Sequence, residues 1–182
     1  FANYRGRRKV TVFGSARTPS DALAYIQAME LGKAMADRQW LVVTGAASGI
    51  GRAVAAALAQ RDVGAMGLVD MGEAIDDVAA QVNTLAGRKV AYPYRGDVTD
   101  EAFRGSVFDS MGSQFGPVNL CVPAAGITRD DLAVRVDKIT GKARIYPLEQ
   151  FKLVVDVNLI APVYWALEMI GRIAENRSAC GL

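Results

Sequence analysis

Trp40-Leu41-Val42-Val43-Thr44-Gly45-Ala46-Ala47-Ser48-Gly49-Ile50-Gly51-Arg52 decides how this chain folds. An unbroken apolar run ends in a stretch that holds three glycines, and alanine-rich helical sequence follows. The spacing has a physical reading. Gly45 permits a tight turn out of a strand, Gly49 lets the backbone approach a pyrophosphate, and Gly51 lets helix and strand pack closely. A helix that begins here turns its unpaired first-turn N–H groups, those of Ser48 and Ile50 among them, toward an anion. Taken alone the pattern is weak, because glycine also serves ordinary turns.

The next apolar strand, 65–69, strengthens it. That strand ends at Asp70, about twenty residues past the glycines, where a carboxylate can bond both ribose hydroxyls of NAD. A carboxylate there repels a ribose 2′-phosphate, and no arginine follows Asp70 directly, so NAD is favoured over NADP. The alternative is that Asp70 caps a helix starting near Glu73.

Strands and helices continue to alternate. Helices are expected over 50–61, 73–85 and 100–115, and strands over 41–43, 90–94 and 119–122, from periodicity near 3.6 in the former and short β-rich runs in the latter. Ahead of the glycine stretch, 9–13 reads as a strand and 22–38 as a helix. Such alternation means βαβ units and a parallel sheet. Residues 132–146 break the pattern: Val134, Val136, Ile139, Ala143 and Ile145 flank Thr140-Gly141, which suggests a short hairpin or an excursion from the sheet. A long apolar helix follows over 148–175, bent near Asn158 because Pro162 cannot donate to the preceding turn. No linker divides the chain, so one domain is expected over 1–182.

Composition narrows the chemistry. With 51% hydrophobic and 22% charged residues the 182-residue chain can bury a real core. Its 21 basic and 19 acidic residues leave a net charge of +2, which makes no electrostatic case for nucleic acid. Two cysteines fit neither a disulfide framework nor a zinc spacing, no metal site is expected, and a reducing, cytoplasmic setting fits best. No apolar stretch reads as long enough to span a bilayer, so no membrane partner is expected. Histidine is absent, which removes every mechanism built on imidazole.

Thr44-Gly45-x-x-x-Gly49-x-Gly51 resembles the cofactor motif of the short-chain dehydrogenases/reductases, and the likeness runs from about Trp40 to about Asn176 (residues 40–176). Asp97-Val98 sits where that family has a pair beside the adenine, Ala125-Gly126 matches the end of its Asn-Asn-Ala-Gly motif, and Asn158 matches the asparagine of its catalytic tetrad. The resemblance implies a three-layer Rossmann-like doubly wound parallel α/β sheet that binds NAD and carries out hydride transfer between nicotinamide and a carbonyl or alcohol. It implies cofactor contacts at Gly45, Ser48, Gly49, Ile50, Gly51, Asp70, Asp97, Val98, Ala125 and Gly126, a catalytic role for Asn158, and a homo-oligomer through helix 148–175. Asp97 can also be a plain helix-start signal, and Asn158 a plain helix-bend residue.

Departures accompany the likeness. Pro123 and Ala124 stand where the family has two asparagines. The family's catalytic serine and Tyr-x-x-x-Lys pair come after the long helix, and the sequence stops at Leu182. Tyr146, Tyr164 and Tyr25 are followed four residues later by Gln150, Glu168 and Met29, so none supplies a substitute. The expectation is a sheet truncated at its C-terminal side that binds NAD and reduces no carbonyl on its own.

Lys9-Val10-Thr11-Val12-Phe13-Gly14-Ser15-Ala16-Arg17 is similar to the opening of the lysine-decarboxylase-like, Lonely-guy type nucleoside-monophosphate phosphoribohydrolases, with Leu31-Gly32-Lys33 continuing the likeness. That implies a phosphate site at Gly14-Ser15, which can equally be a strand-ending turn; the later Pro-Gly-Gly-x-Gly-Thr-x-x-Glu motif of those enzymes is absent. The two resemblances meet at Thr44-Gly45 and together read as a chimera, whose N-terminal βα unit spans 9–39. Strand 9–13 is expected to insert beside strand 41–43 and push strand 119–122 outward by about 4.8 Å.

Overall fold

A computed structural model of the chain describes residue 26, residues 40–61 and residues 63–179. Strand 9–13, the Gly14-Ser15 turn and, residue 26 apart, helix 22–38 expected from the sequence lie outside the described residues.

The strand-forming runs are β1 (Trp40–Thr44), β2 (Ala65–Asp70), β3 (Ala91–Arg95) and β4 (Leu120–Pro123), joined by α1 (Gly49–Ala59), α2 (Ile75–Ala86) and α3 (Glu101–Phe115). The four strands are parallel in the order β3-β2-β1-β4. The two inner strands and β4 are buried along almost their whole length, as strands covered on both faces must be, while the edge strand β3, past its buried Ala91, alternates half-buried and exposed residues. Alternation along each strand sorts the core into two layers. Leu41, Val43, Met66, Leu68, Leu120 and Val122 face Ile50, Val54 and Leu58 of α1 and Ile75, Val78 and Val82 of α2. Val42, Ala65, Val69 and Cys121 face Val107, Phe108 and Met111 of α3 together with Trp165 and Met169. Met111 lies over Gly67, where any side chain would crowd it. Burial pushes the Cys121 thiol up to about 12, so it packs as a small apolar group.

The expected insertion of strand 9–13 beside β1 is overturned. Leu41, Val42 and Val43 pair directly with Leu120, Cys121 and Val122. That pairing is bracketed at both ends. The Trp40 N–H donates to Asn119 Oδ1 at 3.2 Å while the Asn119 N–H donates to the Trp40 carbonyl at 2.9 Å. At the far end the Ala125 N–H donates to Thr44 Oγ1 at 3.2 Å. With β2 on its other side, β1 has no free edge, and the Ala125-Gly126 turn stays beside it.

After β4 the chain leaves the sheet for a two-stranded antiparallel hairpin, β5 (Val134–Val136) and β6 (Ala143–Ile145), in keeping with the sequence. Gly141, at φ 69°, closes its turn, and Asp137 accepts from the backbone of Ile139 and Thr140 there. The long helix runs from α4 (Leu148–Val155) through a π-helical segment (Asp156–Ile160) into α5 (Ala161–Ala179). The π-helical segment has an identifiable cause. Pro162 has no N–H for the carbonyl of Asn158, and the wider π turn absorbs the mismatch just before it.

The expectation that no apolar stretch is long enough to cross a membrane is corrected here. Over Leu148–Ala179 an 18-residue window reaches a mean hydropathy of 1.6, enough by length and composition alone. The same helix is docked on the sheet. Trp165 and Met169 are buried, the Trp165 indole donates to the Val98 carbonyl at 2.9 Å, and Arg172 pairs with Glu168 at 2.8 Å and with Asp109 of α3. Trp165→Phe keeps the ring but leaves the Val98 carbonyl without its donor, and is expected to lower the unfolding free energy by about 1–3 kcal/mol. Chemical denaturation of the two proteins measures this, and an unchanged midpoint would show that the bond contributes nothing.

Candidate functional site

All four strands end on one side, so Thr44, Asp70, Arg95 and Pro123 gather at a single rim. The reversal of strand order between β1 and β4 opens a crevice there, the usual ligand position in a doubly wound sheet.

The β1–α1 turn is shaped by what it lacks. Gly45 has φ +65°, and a Cβ on it would lie 2.7 Å from the Ala125 backbone. Gly49 also has positive φ, at 51°. A Cβ on Gly51 would run into the Gly45 carbonyl, so α1 can start this close to β1 only with glycine there. Ser48 is the extended N-cap, exposed, and its hydroxyl makes no capping bond. The first N–H bonded back into the helix is that of Arg52, to Ser48. The preceding first-turn N–H groups thus have no intrahelical acceptor and point out of the helix start.

Asp70 is tied to this turn. Its Oδ2 accepts from the Ala47 N–H at 3.0 Å and its Oδ1 from the Gly72 N–H at 2.9 Å. A carboxylate has about four acceptor sites, so two remain for a ligand. The helix-cap alternative for Asp70 is not what the geometry shows, since α2 begins at Ile75 with its N–H bonded to the Gly72 carbonyl. Asp97 lies at the same rim after β3. Its Oδ1 accepts from both the N–H and the hydroxyl of Thr99, at 2.9 and 2.8 Å, while Asp100 caps α3. Val98 is buried beneath it.

Ala125 and Gly126 follow β4 and lie against the glycine turn. One residue beyond them, Ile127 is clasped from the long helix. Asn158 Oδ1 accepts the Ile127 N–H and Asn158 Nδ2 donates to the Ile127 carbonyl, both at 2.8 Å. The asparagine amide so acts as a strand neighbour would, and it does so from within the π-helical segment, where helical bonding is loosened.

Beside this clasp is a cavity of about 790 Å³ lined in part by Ile127, Thr128, Ile145, Tyr146, Phe151 and Asn158. The Thr128 hydroxyl is buried with no partner among the described residues. The hairpin walls the cavity and is stapled at its base. Asp131 binds Arg135 and Arg144, each at 2.8 Å, and the Tyr146 hydroxyl donates to the Arg129 carbonyl. The Leu132 N–H, then Arg135 and Arg144, hold the Asp131 carboxyl below the usual carboxylate range.

The expected dinucleotide-contact residues thus gather at one rim, which Asn158 reaches from the helix, while Gly14-Ser15 lie outside the described residues. Three contributors were not singled out from the sequence. Thr44 was quoted only as a motif letter, Ala47 serves through its backbone, and Arg95 is set opposite Asp70 by strand register. Only the first carries a sequence signal.

The chain matches the family model described as short chain dehydrogenase over residues 39–179. It is 42% identical over 97 residues to cis-4-hydroxycyclohexanecarboxylate dehydrogenase of Sinomonas cyclohexanicum, covering 53% of this chain and 37% of that protein. It is 41% identical over 93 residues to 3-oxoacyl-[acyl-carrier-protein] reductase of Mus musculus, covering 51% and 37%. A short-chain type dehydrogenase/reductase from Mycobacterium marinum superposes with a TM-score of 0.63 at 25% identity, over 82% of this chain and 55% of that one. The matches span little more than a third of the length of these curated relatives. Residues 9–38 lie outside the family match and, residue 26 apart, outside the described residues, so the phosphoribohydrolase likeness gains no support.

Asn158→Asp keeps the acceptor for the Ile127 N–H but sets a carboxylate oxygen against the Ile127 carbonyl. The expected result is a loss of about 1–3 kcal/mol in stability and faster amide exchange at Ile127. Wild-type exchange at that amide would show that the clasp does not hold the turn.

Proposed function

Because this chain belongs to the short-chain dehydrogenase/reductase family of oxidoreductases, we propose that it binds NAD(H) at the β1–β2 rim and serves hydride transfer between nicotinamide and a carbonyl or alcohol. The observation that carries this reading is the Asp70 carboxylate, held by the Ala47 and Gly72 N–H groups beside the glycine turn. When bound, the dinucleotide supplies the hydride acceptor or donor.

The chain's own residues bind and orient. Gly45, Ser48, Gly49, Ile50 and Gly51 surround the pyrophosphate, with the N-terminus of α1 stabilising its charge. Asp70 accepts from the 2′- and 3′-hydroxyls of the adenosine ribose with its two remaining acceptor sites. The same negative charge opposes a 2′-phosphate, which favours NAD over NADP. Asp97 and Val98 flank the adenine, while Ala125 and Gly126 border the nicotinamide side. Asn158 acts by positioning, since its amide fixes the backbone of Ile127 where the cavity meets the rim. The apolar lining of that cavity suits a substrate with an apolar body. No tyrosine in the 182 residues is followed four positions later by lysine, and the proton transfer is assigned to none of the residues described.

Asp70→Ala is expected to weaken NADH binding and to narrow the gap between NADH and NADPH in a fluorescence titration. Asp70→Asn, which keeps an acceptor for one backbone N–H, separates loss of charge from collapse of the turn. Unchanged affinities for both cofactors in both variants would defeat the assignment.

The proposal extends to self-association. Leu159, Val163, Leu167 and Ile170 recur at helical spacing, are exposed, and form one stripe along the helix, with Phe151 continuing it. A second copy laid along this stripe would cover it. Light scattering should give at least a dimer, with Leu167→Glu shifting it toward monomer, and a strictly monomeric wild type at high concentration would overturn the proposal.

A further inference from the structure

The register of β2 and β3 pairs Asp70 with Arg95. Adjacent strands lie about 4.8 Å apart, so a guanidinium grows from the position next to the carboxylate that reads the ribose. The sequence hides this, because Arg95 is far from Asp70 along the chain and does not follow it in the manner of an arginine that accepts a 2′-phosphate. Its placement is not accidental to the local backbone. The Gly96 N–H donates to the Asp70 carbonyl at 3.0 Å, which ties the end of β3 to the end of β2. A Cβ on Gly96 would lie 2.6 Å from the Phe103 ring, so the turn sits flush on α3 and Arg95 leaves it toward the rim.

There the guanidinium meets Glu73. Arg95 Nη2 donates to Glu73 Oε1 at 3.0 Å. Glu73 directly follows Gly72, whose N–H Asp70 holds, so the ion pair stands one residue beyond the ribose-reading carboxylate. Asp70, Glu73 and Arg95 thus stand together at this corner, with Asp97 two residues past Arg95, and Glu73 engages the guanidinium that would otherwise face a ligand.

We propose that Glu73 and Arg95 together determine the cofactor's 2′-specificity: Glu73 holds Arg95 away from the ribose 2′-position, and Arg95 would otherwise meet a 2′-phosphate. This rests on the reading of Asp70 as the ribose ligand and adds a second layer to it. Asp70 opposes the phosphate directly, whereas Glu73 withholds the arginine that would offset that opposition. Neutralising Glu73 removes one negative charge from the corner and frees the guanidinium to bond the phosphate. The NAD ribose, bonded through its hydroxyls to Asp70, gains nothing from this change.

The test is a fluorescence titration of NADH and NADPH at low ionic strength against four forms of the full chain: wild type, Glu73→Gln, Arg95→Gln, and the double variant. Glu73→Gln is expected to tighten NADPH binding by roughly two- to fivefold, the scale of one exposed charge pair, with NADH affinity unchanged. The double variant should lose that gain. Arg95→Gln alone should weaken NADPH binding relative to wild type, because it leaves the Glu73 carboxylate unpaired at the corner. The gain in Glu73→Gln should fade as salt is raised, since both groups are exposed. If NADPH tightens equally in Glu73→Gln and in the double variant, Arg95 takes no part and the proposal fails. If NADPH affinity does not rise in Glu73→Gln while NADH binds normally, the proposal also fails and the Asp70 reading stands. If NADH fails to bind wild type at all, the Asp70 reading fails and takes this one with it.

Discussion

The turn between β1 and α1 admits no side chain at Gly45 or Gly51, and the surrounding architecture is organised by that exclusion. Gly51 lets the start of α1 settle on the Gly45 carbonyl, and Gly45 in turn lets the chain leaving β4 lie against it. Two strands and a helix thereby converge within contact distance of one short piece of backbone. The consequences spread outward. Thr44 can reach the Ala125 N–H, the Ala47 N–H can reach Asp70, and the Ala46 N–H bonds the Val69 carbonyl at 3.1 Å. The first ties the end of β4 to the turn, and the other two tie the end of β2 to it. A methyl group at either glycine would separate these ends, which is why the rim is a property of the backbone more than of its side chains.

Much of this was legible in the sequence because it is periodic or glycine-bound. The strands of the parallel sheet announce themselves as short apolar runs, the helices by their stripe, and the hairpin by Thr140-Gly141 between alternating residues. Asp70 was legible as a carboxylate ending a strand at the right distance. What the sequence concealed was lateral. Which strand lies beside β1 depends on Asn119 capturing Trp40 and on Thr44 capturing Ala125, contacts between residues about eighty positions apart. Connectivity rules alone favoured an inserted strand, and these bonds decide against it. Arg95 was invisible for the same reason, since its neighbourhood with Asp70 exists only once strands are in register.

The long helix shows how a single sequence signal can carry two meanings. Its apolar content is high enough for a lipid environment, yet its inward face is specific in ways lipid would not require. The Trp165 indole finds the Val98 carbonyl, Phe108 and Phe103 pack against that ring with centroids 5.6 and 6.4 Å away, and Arg104 sits over Tyr164 while approaching Glu168. Polar partners placed at matched heights on α3 and α5 fix the helix along its axis as well as against the sheet. Its outward face carries no such matching.

The clasp between Asn158 and Ile127 has a consequence for how the molecule can change. It closes a loop of about thirty residues at its neck, and everything between, the hairpin included, hangs outside the closure. Because loop-closure entropy grows only logarithmically, doubling that length costs about 0.6 kcal/mol. The hairpin tip is therefore the part of the excursion best able to take added or exchanged sequence, so the wall it gives the cavity can be redrawn while the clasp at the neck stays closed.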